Sequence, residues 1–417
     1  MSRAIARPFF VSDAPHFGGA ERYIVAMCRA ARRRGLEPGV LWVDRGGVGG
    51  PVLERLRQAD GPVKVLDGRP GRGAGLVRGF LSALDGLAAD ALVFNACGRP
   101  GFWLLPWAAR RRGLPCAWVH QMVDARDHRR LPAQWWNGRL EGLAAWRVPQ
   151  ALRHALAMAA CRAVVTLNEA DGERIVRWMR APRDRLHVIP HGVDCAEYRF
   201  DAAAGLRVRA ALGIPPAGSG RLVIGTAGRL VRGKGVDLLI RAAALLRDRG
   251  LDVDVLVAGH GQAEAELAEV AGRLGVADRV HFAGFMENMP AFYSALDAFV
   301  LCSLTESFGL AIAEAMACCR PVIATPTAGA CRQIEHGVNG LLLPAFEAGA
   351  LAEAMAGLAG DPGKAASLGE AGRRSVQQGY SIELTLERTL RALRSPGRSR
   401  PCPVDPLPAV GVGEEHA

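Results

Sequence analysis

The chain has 417 residues; half are hydrophobic, and charged residues stand at an ordinary 22%. This composition is typical of a folded globular protein and excludes a low-complexity or fibrous chain. The length exceeds what one ordinary core accommodates, so we predict two domains. The net charge of +11 is uneven, because residues 1–200 hold 31 Lys and Arg against 18 Asp and Glu, whereas residues 201–417 hold 21 against 23.

A basic first half predicts contact with something acidic, such as nucleic acid, anionic lipid or a phosphorylated substrate. A general enrichment in Arg explains the excess equally well. Nucleic acid is disfavoured, because the basic residues form no recognised binding module and few aromatic residues accompany them outside residues 100–150. We therefore expect no nucleic-acid partner.

The ten cysteines are scattered, without a C-x-x-C pair or the His/Cys spacing of a zinc site. They are interpreted as small buried hydrophobic residues in a reducing compartment. We expect no signal peptide in Met1–Val11 and no membrane span. The nearest apolar run, Ala151–Leu167, is interrupted by Arg153, His154 and Arg162.

Short apolar runs alternate with helical patterns along the first half. The runs flanked by Gly and Pro predict strands of a parallel sheet covered on both faces. The predicted strands are Ala4–Val11, Pro38–Val43, Val63–Leu66, Ala91–Asn95, Cys116–His120, Ala163–Leu167 and Leu186–Pro190, with helices such as Gly19–Arg34 and Pro51–Ala59 between them.

A second alternation begins after a break at Cys195–Gly220. Its predicted strands are Leu222–Gly228, Val253–Ala258, Val280–Ala283, Ala298–Cys302, Pro321–Ala324 and Gly340–Leu343. Its predicted helices are Val236–Arg249, Gln262–Leu274, Met289–Ala295, Gly309–Cys319 and Glu347–Leu358. Two such runs predict two doubly wound α/β domains, 1–195 and 196–380, with a helix at about 381–394 that packs back on the first domain and a disordered tail at 395–417.

The stretch Ser303–Thr325 carries the strongest chemical signal. A loop presents Glu306 and Ser307 immediately before a helix that Gly309 begins. The first N–H groups of a helix have no intrahelical acceptor, and the helix dipole favours an anion there. Glu314 follows on the same element, at most about 12 Å from Glu306 at the helical rise per residue. That separation matches a sugar–diphosphate–ribose unit, so one carboxylate can bind a hexose and the other a ribose diol.

A second stretch, Ile224–Leu246, places Arg229 and Lys234 in a Gly-rich loop between a strand and a helix. Cations at the carboxyl end of a strand are well placed to neutralise a diphosphate leaving group. Of the two, only Arg can clamp phosphate with a planar fork. An ordinary basic surface loop is the alternative interpretation.

The first strand is followed by FGGAE, Phe17–Glu21, where Gly18 and Gly19 let the backbone approach a phosphate or sugar closely or simply form a turn. No G-x-G-x-x-G follows that strand, which disfavours a nicotinamide or flavin dinucleotide. His120 ends an apolar strand, and Val188–Asp194 (VIPHGVD) ends the first domain. Each of these two features fits a structural role as well as a functional one.

In this order, the motifs resemble glycosyltransferase family 4, retaining enzymes with the GT-B fold. The resemblance runs from Phe17 to about Leu343, and the joint order of its segments makes it specific. The segments are GGAE, His120, VIPHGVD, GRLVRGKGVDLLI, VLVAGHG, VHFAGF, the Glu306–Glu314 segment and AGACRQIEHGVNGLLLP. The implied GT-B fold has two doubly wound Rossmann-like domains that face each other across a cleft.

The resemblance implies a role for each matching position. Glu306 would contact the hydroxyls of the donor sugar and Glu314 the ribose, and Arg229 and Lys234 would stabilise the diphosphate. The implied donor-site residues are further Ser307, Phe308, Gly309 and Leu310 through backbone N–H groups, Gly18 and Gly19 from the first domain, and Phe285 at the nucleobase. His120 would touch the sugar near the reaction centre, so the implied catalytic residues are Glu306, Arg229, Lys234 and His120.

Family members work without a metal ion and take hexoses from UDP or GDP, so we expect no cofactor besides the nucleotide sugar. No carboxylate is marked as the nucleophile of a double displacement. The resemblance instead implies a front-face reaction in which the leaving phosphate oxygen takes the acceptor proton. The chain departs from the family pattern at His191, Cys302 and Ala328, where Asn, Pro and Gly are frequent.

The acceptor side is predicted from Asp124–Arg153, which is rich in Arg and Trp. This stretch suits a membrane interface, a lid over the acceptor or a packed helix. The residues concerned are Trp135, Trp136 and Trp146 beside Arg129, Arg130, Arg139 and Arg147. We expect a cytoplasmic enzyme that docks on an anionic inner membrane and glycosylates a glycan or lipid-linked acceptor of cell-surface polysaccharide, lipopolysaccharide or glycolipid.

Two other classes stay open at this point. One is another GT-B enzyme, a nucleotide-sugar epimerase or a phosphorylase, although a phosphorylase needs a pyridoxal-phosphate lysine and Lys is scarce here. The other is non-enzymatic, either a nucleic-acid-binding protein or a degenerate sugar-nucleotide-binding partner.

Overall fold

A computed structural model describes residues 4–13, 18–44, 50–57, 61–67, 73–95, 102–121, 150–216 and 218–394. Within these residues the chain forms two compact units. Unit 1 runs to residue 199 and resumes at 376, and unit 2 spans 200–375. These divisions lie within a few residues of the predicted boundaries at 195/196 and 380/381. The predicted tail, 395–417, lies outside the described residues.

Unit 1 is built on a parallel sheet whose described strands have the order β3-β2-β1-β4-β5-β6-β7. The strands are β1 (Pro8–Ser12), β2 (Gly39–Asp44), β3 (Val63–Asp67), β4 (Ala91–Asn95), β5 (Cys116–Val119), β6 (Ala163–Thr166) and β7 (Leu186–Val188). The helices are α1 (Gly19–Arg33), α2 (Gly50–Leu56), α3 (Gly73–Asp85), α4 (Leu105–Arg111), α5 (Gln150–Ala160) and α6 (Glu169–Met179), joined by α15 (Ile382–Arg394) from the end of the chain.

Both faces of this sheet are buried, as its continuous apolar runs predict. Along β2, Val40 and Trp42 pack with α1 and α15 on one face, and Leu41 and Val43 pack with α3 on the other. Successive residues of a strand point to opposite faces, so one apolar run serves two cores.

Unit 2 repeats the plan with the strand order β10-β9-β8-β11-β12-β13, and the paired strands are parallel. The strands are β8 (Leu222–Ala227), β9 (Val253–Ala258), β10 (Val280–Gly284), β11 (Ala298–Leu301), β12 (Val322–Ala324) and β13 (Leu341–Leu342). The helices are α7 (Ala202–Ala211), α8 (Val236–Asp248), α9 (Glu264–Arg273), α10 (Met289–Ser294), α11 (Leu310–Ala317), α12 (Ala328–Gln333) and α13 (Ala348–Gly360), with α14 (Pro362–Gly379) leading out of the unit. The prediction of two doubly wound α/β units is confirmed.

The VIPHGVD segment has a structural partner that the sequence pattern did not indicate. The chain returning from unit 2 lies beside it, with the Val193 N–H donating to the Tyr380 carbonyl at 2.8 Å and the Ile382 N–H donating to the Val193 carbonyl at 3.0 Å. A Cβ at Gly192 would lie 2.6 Å from the Ile382 Cα, so only glycine allows this approach. The segment therefore anchors the start of α15 on unit 1.

His191, within the same segment, is buried as a neutral imidazole. Its Nε2–H donates to Oε1 of Gln121 at 2.6 Å, and its ring lies 4.1 Å from the Tyr23 ring between centroids. Desolvation by burial lowers the pKa of His191 to about 3. Below the ordinary histidine pKa of about 6.5, the unfolded chain therefore binds a proton that the folded chain does not. The free energy of unfolding consequently decreases as the pH is lowered.

We predict that His191→Asn, which introduces the residue expected here from the family resemblance, makes the stability less sensitive to acid. Between pH 7 and pH 5 the wild type should lose about 2 kcal/mol more of its unfolding free energy than the variant, because one protonation of the unfolded state is removed. Urea titrations of both proteins at the two pH values measure this difference. Parallel losses in the two proteins would contradict the assignment.

Candidate active site

The candidate site lies in unit 2 at the carboxyl ends of the strands. The chain leaves β8 toward β9 on one side of the sheet, whereas β11 is the neighbour of β8 on the other side. In doubly wound sheets such a reversal marks the usual ligand crevice, which here falls between the loops that follow β8 and β11. The loop after β8 contains Arg229 and Lys234, and the loop after β11 contains Glu306.

Glu306 is held on one side of its carboxylate. The Lys234 Nζ donates to Glu306 Oε1 at 2.5 Å, and the Ser303 Oγ donates to the same oxygen at 2.8 Å. Within the described residues Oε2 accepts no hydrogen bond, and the Lys234 ammonium, which carries three donors, uses one of them on Glu306. The pair thus keeps an acceptor and two donors for a ligand.

Backbone contacts lock these two loops together. The Leu304 N–H donates to the Gly233 carbonyl at 3.0 Å. Gly235 has φ +60°, and a Cβ there would lie 2.2 Å from the Cys302 carbonyl oxygen. The Thr325 hydroxyl at the end of β12 donates to the Ser303 carbonyl at 2.6 Å. Lys234 and Glu306 therefore meet because their backbones are fixed, and the ion pair adds to an existing geometry.

The helix that follows Glu306 begins at Leu310, and Gly309 is its N-cap residue with φ +77°. A left-handed residue at this position re-aims the chain from the loop into the helix, and a Cβ there would press on Ile312 and Leu301 at 3.3 Å. The N–H groups of Leu310 and Ala311 at the start of α11 have no intrahelical acceptor, whereas the Ile312 N–H donates to the Gly309 carbonyl at 2.9 Å. They begin four residues after Glu306, and the anion site predicted at this helix start stays a prediction.

The short helix α12 supports this loop from behind. The Gly329 N–H donates to the Glu306 carbonyl at 2.9 Å, and the Gln333 Nε2 donates to the Phe308 carbonyl. A Cβ at Gly329 would lie 2.3 Å from the Phe308 carbonyl oxygen, which is backbone and cannot move aside cheaply. Sequence reasoning did not single out Gly329 or Gln333, although both lie within one of the matching segments.

The side chains of two of the predicted donor-site residues are buried. Phe308 packs in the interior, so only its backbone can face a ligand, and Ser307 is buried beside it. Glu314 lies on the second turn of α11, and its Oε2 accepts a hydrogen bond of 2.6 Å from the buried Tyr293 hydroxyl. The predicted separation of the two carboxylates assumed one continuous helix, whereas Glu306 stands in the loop before α11.

Arg229 is exposed and makes no side-chain ion pair or hydrogen bond with the described residues. Its neighbour Gly228 has φ +153°, and the Gly228 N–H donates to the Ala258 carbonyl at 3.0 Å. The Arg229 guanidinium is therefore an unpaired cation among the described residues, and it lies in the same loop as Lys234. Within those residues it makes no hydrogen bond with the Lys234–Glu306 ion pair.

Phe285 follows β10 directly and is half-buried. Its N–H donates to the Nε2 of His260 at 3.0 Å, and His260 follows β9. The Gly259 N–H donates to the Gly284 carbonyl at 2.7 Å, so the loops after β9 and β10 are joined in the same way as those after β8 and β11. His260 is a further site residue that sequence reasoning missed; it stands in VLVAGHG, which carried little weight alone.

The remaining predicted residues belong to unit 1. Gly18 is the N-cap of α1, and its N–H donates to Oε2 of Glu21 at 2.9 Å. Gly18 and Gly19 are exposed, so backbone can be approached there, and Phe17 lies outside the described residues. Burial in an apolar setting raises the pKa of Glu21.

His120 comes directly after β5 and is buried. Desolvation, together with the proximity of His154 at 5.5 Å between ring centroids, lowers the pKa of His120 to about 3. The imidazole is therefore neutral at physiological pH and can take part in hydrogen bonds but carries no charge. The predicted contact of His120 with the donor sugar needs no charge on the imidazole, and it stays a prediction.

Within the described ranges, no group of three or more His, Cys, Asp or Glu side chains is arranged to hold a metal ion. No helix among the same residues is long and apolar enough to cross a membrane.

We predict that Gly329→Ala disrupts the loop that carries Glu306. The added Cβ meets the Phe308 backbone, so the unfolding free energy should fall by about 2–3 kcal/mol, the cost of overpacking against a fixed group. The control is Gly357→Ala on the exposed face of α13, where a Cβ meets nothing within 4 Å and stability should rise by about 1 kcal/mol. Denaturant titration measures both changes, and a Gly329→Ala protein as stable as the control would refute the tight contact.

Comparisons with known proteins agree with this architecture. The family described as "Glycosyltransferase Family 4" matches residues 17–197, and the family described as "Glycosyl transferases group 1" matches residues 213–375. Among solved structures, HepE of Anabaena in complex with UDP and glucose is similar with a TM-score of 0.75 at 22% identity, covering 93% of this chain and 99% of that one.

Curated relatives match at higher identity over part of their length. The D-inositol 3-phosphate glycosyltransferase of Arthrobacter sp. (strain FB24) is 34% identical over 237 residues, which are 55% of this chain and 54% of the relative. The alpha-D-kanosaminyltransferase of Streptomyces kanamyceticus is 32% identical over 256 residues, 61% of this chain and 64% of the relative. The chain thus matches about half to two thirds of the length of these relatives. With two family models in succession along the chain and the doubly wound sheets of both units, the chain belongs to glycosyltransferase family 4 and has the GT-B fold.

Proposed function

We propose that this protein is a retaining glycosyltransferase that transfers a hexosyl unit from a UDP- or GDP-sugar to a glycan or lipid-linked acceptor. The observation that carries the proposal is the Glu306 carboxylate, fixed at Oε1 by Lys234 and Ser303 and open at Oε2. A carboxylate oxygen of this kind accepts hydrogen bonds from sugar hydroxyls, and the ammonium beside it binds phosphate.

The donor nucleotide is supported by the relatives. HepE of Anabaena was solved with UDP and glucose and also with UDP-glucose, and the curated relatives are named as glycosyltransferases. The proposal assigns the diphosphate of the donor to Lys234, Arg229 and the N-terminus of α11. Glu314, steadied by Tyr293, is assigned to the ribose and Phe285 to the nucleobase.

The chemical step needs stabilisation of the leaving diphosphate. As the bond from the anomeric carbon to the phosphate oxygen breaks, negative charge grows on that oxygen, where cations and helix N–H groups act more strongly than in the ground state. In the proposed front-face reaction the acceptor oxygen forms its bond to the anomeric carbon on the face that the leaving group vacates. The acceptor proton moves to the departing phosphate oxygen, so no protein nucleophile is required.

The same assignment removes the need for a metal ion. A diphosphate leaving group is commonly neutralised by a divalent cation in other enzymes. In this proposal Lys234, Arg229 and the α11 terminus provide the positive charge instead. Activity that survives a chelating agent unchanged is the corresponding expectation.

A donor screen with matched variants tests the proposal. The wild type should show thermal stabilisation by one of UDP-, GDP- and ADP-sugars and should transfer the hexose to an acceptor extract with retention, measured by product anomer. Glu306→Gln keeps the size of the side chain but loses the charge that binds Lys234. Glu306→Gln and Lys234→Ala should each raise the barrier by about 2–4 kcal/mol, the loss of one contact made to the transition state.

The control is Glu353→Gln on α13, an exposed carboxylate paired with Arg249, which should leave transfer unchanged. Full turnover by Glu306→Gln with the true donor would refute the assignment of Glu306 to the donor sugar. Epimerised nucleotide sugar without transfer would instead identify a GT-B epimerase, and binding without any turnover would identify a sugar-nucleotide-binding partner.

We further propose peripheral docking on an anionic membrane, which would place the protein at the inner face of the plasma membrane. The predicted docking stretch, 124–153, lies mostly outside the described residues, but the helices on either side of the gap support it. Trp107 on α4 is exposed beside Arg110, whose guanidinium lies 5.7 Å from its ring, and Leu152 on α5 is exposed as well. Exposed apolar groups with arginines are typical of a membrane interface.

Vesicle co-sedimentation tests the docking. Binding to vesicles with anionic lipid should fall with salt, and replacing Arg129, Arg130 and Arg139 together by Gln should weaken it at least tenfold, since each arginine near the surface contributes about 1 kcal/mol. A triple change of Arg241, Arg249 and Arg273 to Gln alters the net charge equally on exposed positions of unit 2 and should have little effect. Equal loss in both triples, or binding that ignores anionic lipid, would refute a docking stretch.

A further inference from the structure

The segment after β10 leaves the sheet through an irregularity. The register between β10 and β9 shifts between Phe282 and Gly284, which marks a bulge, and Gly284 adopts φ +66°. Bulges of this kind end strand pairing and re-aim the residues that follow. The backbone of Phe285 is therefore directed away from the strand ladder and needs another partner.

His260 supplies that partner with its side chain. Its Nε2 accepts the Phe285 N–H at 3.0 Å, and its Nδ1 lies 3.3 Å from the Glu264 Oε2 on the first turn of α9. A ring nitrogen that accepts from an N–H carries no proton, so the proton lies on Nδ1 and points to Glu264. The ring also packs against Gly284, where an added Cβ would lie 3.0 Å from its Cε1.

The backbone of His260 reaches the opposite loop. Its carbonyl accepts the Leu230 N–H at 2.9 Å, next to Arg229 in the loop after β8. One residue thus connects the cationic loop through its backbone and the Phe285 segment through its imidazole. The two connections are separable, because a side-chain substitution removes the second and keeps the first.

We propose that His260 is a positioning residue for the donor's nucleobase, holding the Phe285 segment in place through its neutral imidazole. The inference rests on the proposed function, because it takes that segment as the one that faces the base. A side chain that offers no acceptor at this point loses the contact with the Phe285 N–H. Nucleotide affinity therefore weakens when the acceptor is removed, independently of the chemistry at the diphosphate.

Two variants that differ by one methylene distinguish the loss of the hydrogen bond to Phe285 from a general disturbance of the loops. His260→Gln places an amide oxygen the same number of bonds from the backbone as Nε2, so this oxygen can accept the hydrogen bond from the Phe285 N–H. His260→Asn is too short to do so. We expect the affinity of His260→Asn for the nucleoside diphosphate chosen by the donor screen to fall about fivefold at pH 8, the loss of one ordinary hydrogen bond, and that of His260→Gln to stay near the wild type.

Inorganic pyrophosphate serves as the probe without a base. Calorimetric titration should give the same pyrophosphate affinity for all three proteins, since the Leu230 contact is intact.

The inference is overturned if His260→Asn binds the nucleoside diphosphate as the wild type does, or if pyrophosphate affinity falls in parallel, which would show a general disturbance of the loops. A His260→Gln protein that binds the nucleoside diphosphate as weakly as His260→Asn does would overturn the requirement for an acceptor at this position. A wild type that binds no nucleoside diphosphate at all would refute the proposed function itself, and the assignment of the base with it.

Discussion

The contact between Lys234 and Glu306 is the feature on which the candidate site depends. The two side chains are partly exposed, and a pair of this kind contributes only about 0–1 kcal/mol to folding. Its importance is positional. It fixes one carboxylate oxygen and one ammonium proton and leaves the remaining acceptor and donors available to a ligand. A ligand that binds here therefore loses less affinity to the conformational entropy of two long side chains, which are already ordered.

Close backbone approach makes that contact possible. Gly235 against the Cys302 carbonyl, Gly259 against the Gly228 carbonyl and Gly329 against the Phe308 carbonyl each bring two strand-end loops to a distance that a Cβ would forbid. The loops after β8, β9, β10 and β11 and the start of α12 form one hydrogen-bonded rim as a result. Charged side chains on a rim of this rigidity are held to the precision that differential binding of a transition state requires.

Unit 1 uses polar residues in another way. His120 and His191 are buried and neutral, and each has its pKa lowered to about 3 by desolvation. Groups of this kind contribute hydrogen-bonding specificity without charge and make the unit sensitive to acid. The candidate site of unit 2, in contrast, is built on the exposed and partly exposed charges of Arg229, Lys234 and Glu306.

The alternation of apolar runs and helical patterns determined the two doubly wound sheets, because a strand buried on both faces has to be apolar throughout. The positions of Lys234 and Glu306 after two strands also predicted that their loops would lie together, since parallel strands place their carboxyl ends at one edge, and the two side chains are in contact. The sequence by itself did not show that Ser303 shares Oε1 of Glu306 with Lys234, that Tyr293 engages Glu314, or that His260 accepts from Phe285. The last two contacts join residues 21 and 25 positions apart on different elements, and only the tertiary packing of those elements decides them. The same holds for VIPHGVD, whose role as the anchor of the returning chain depends on a partner nearly 190 residues away, at Tyr380 and Ile382.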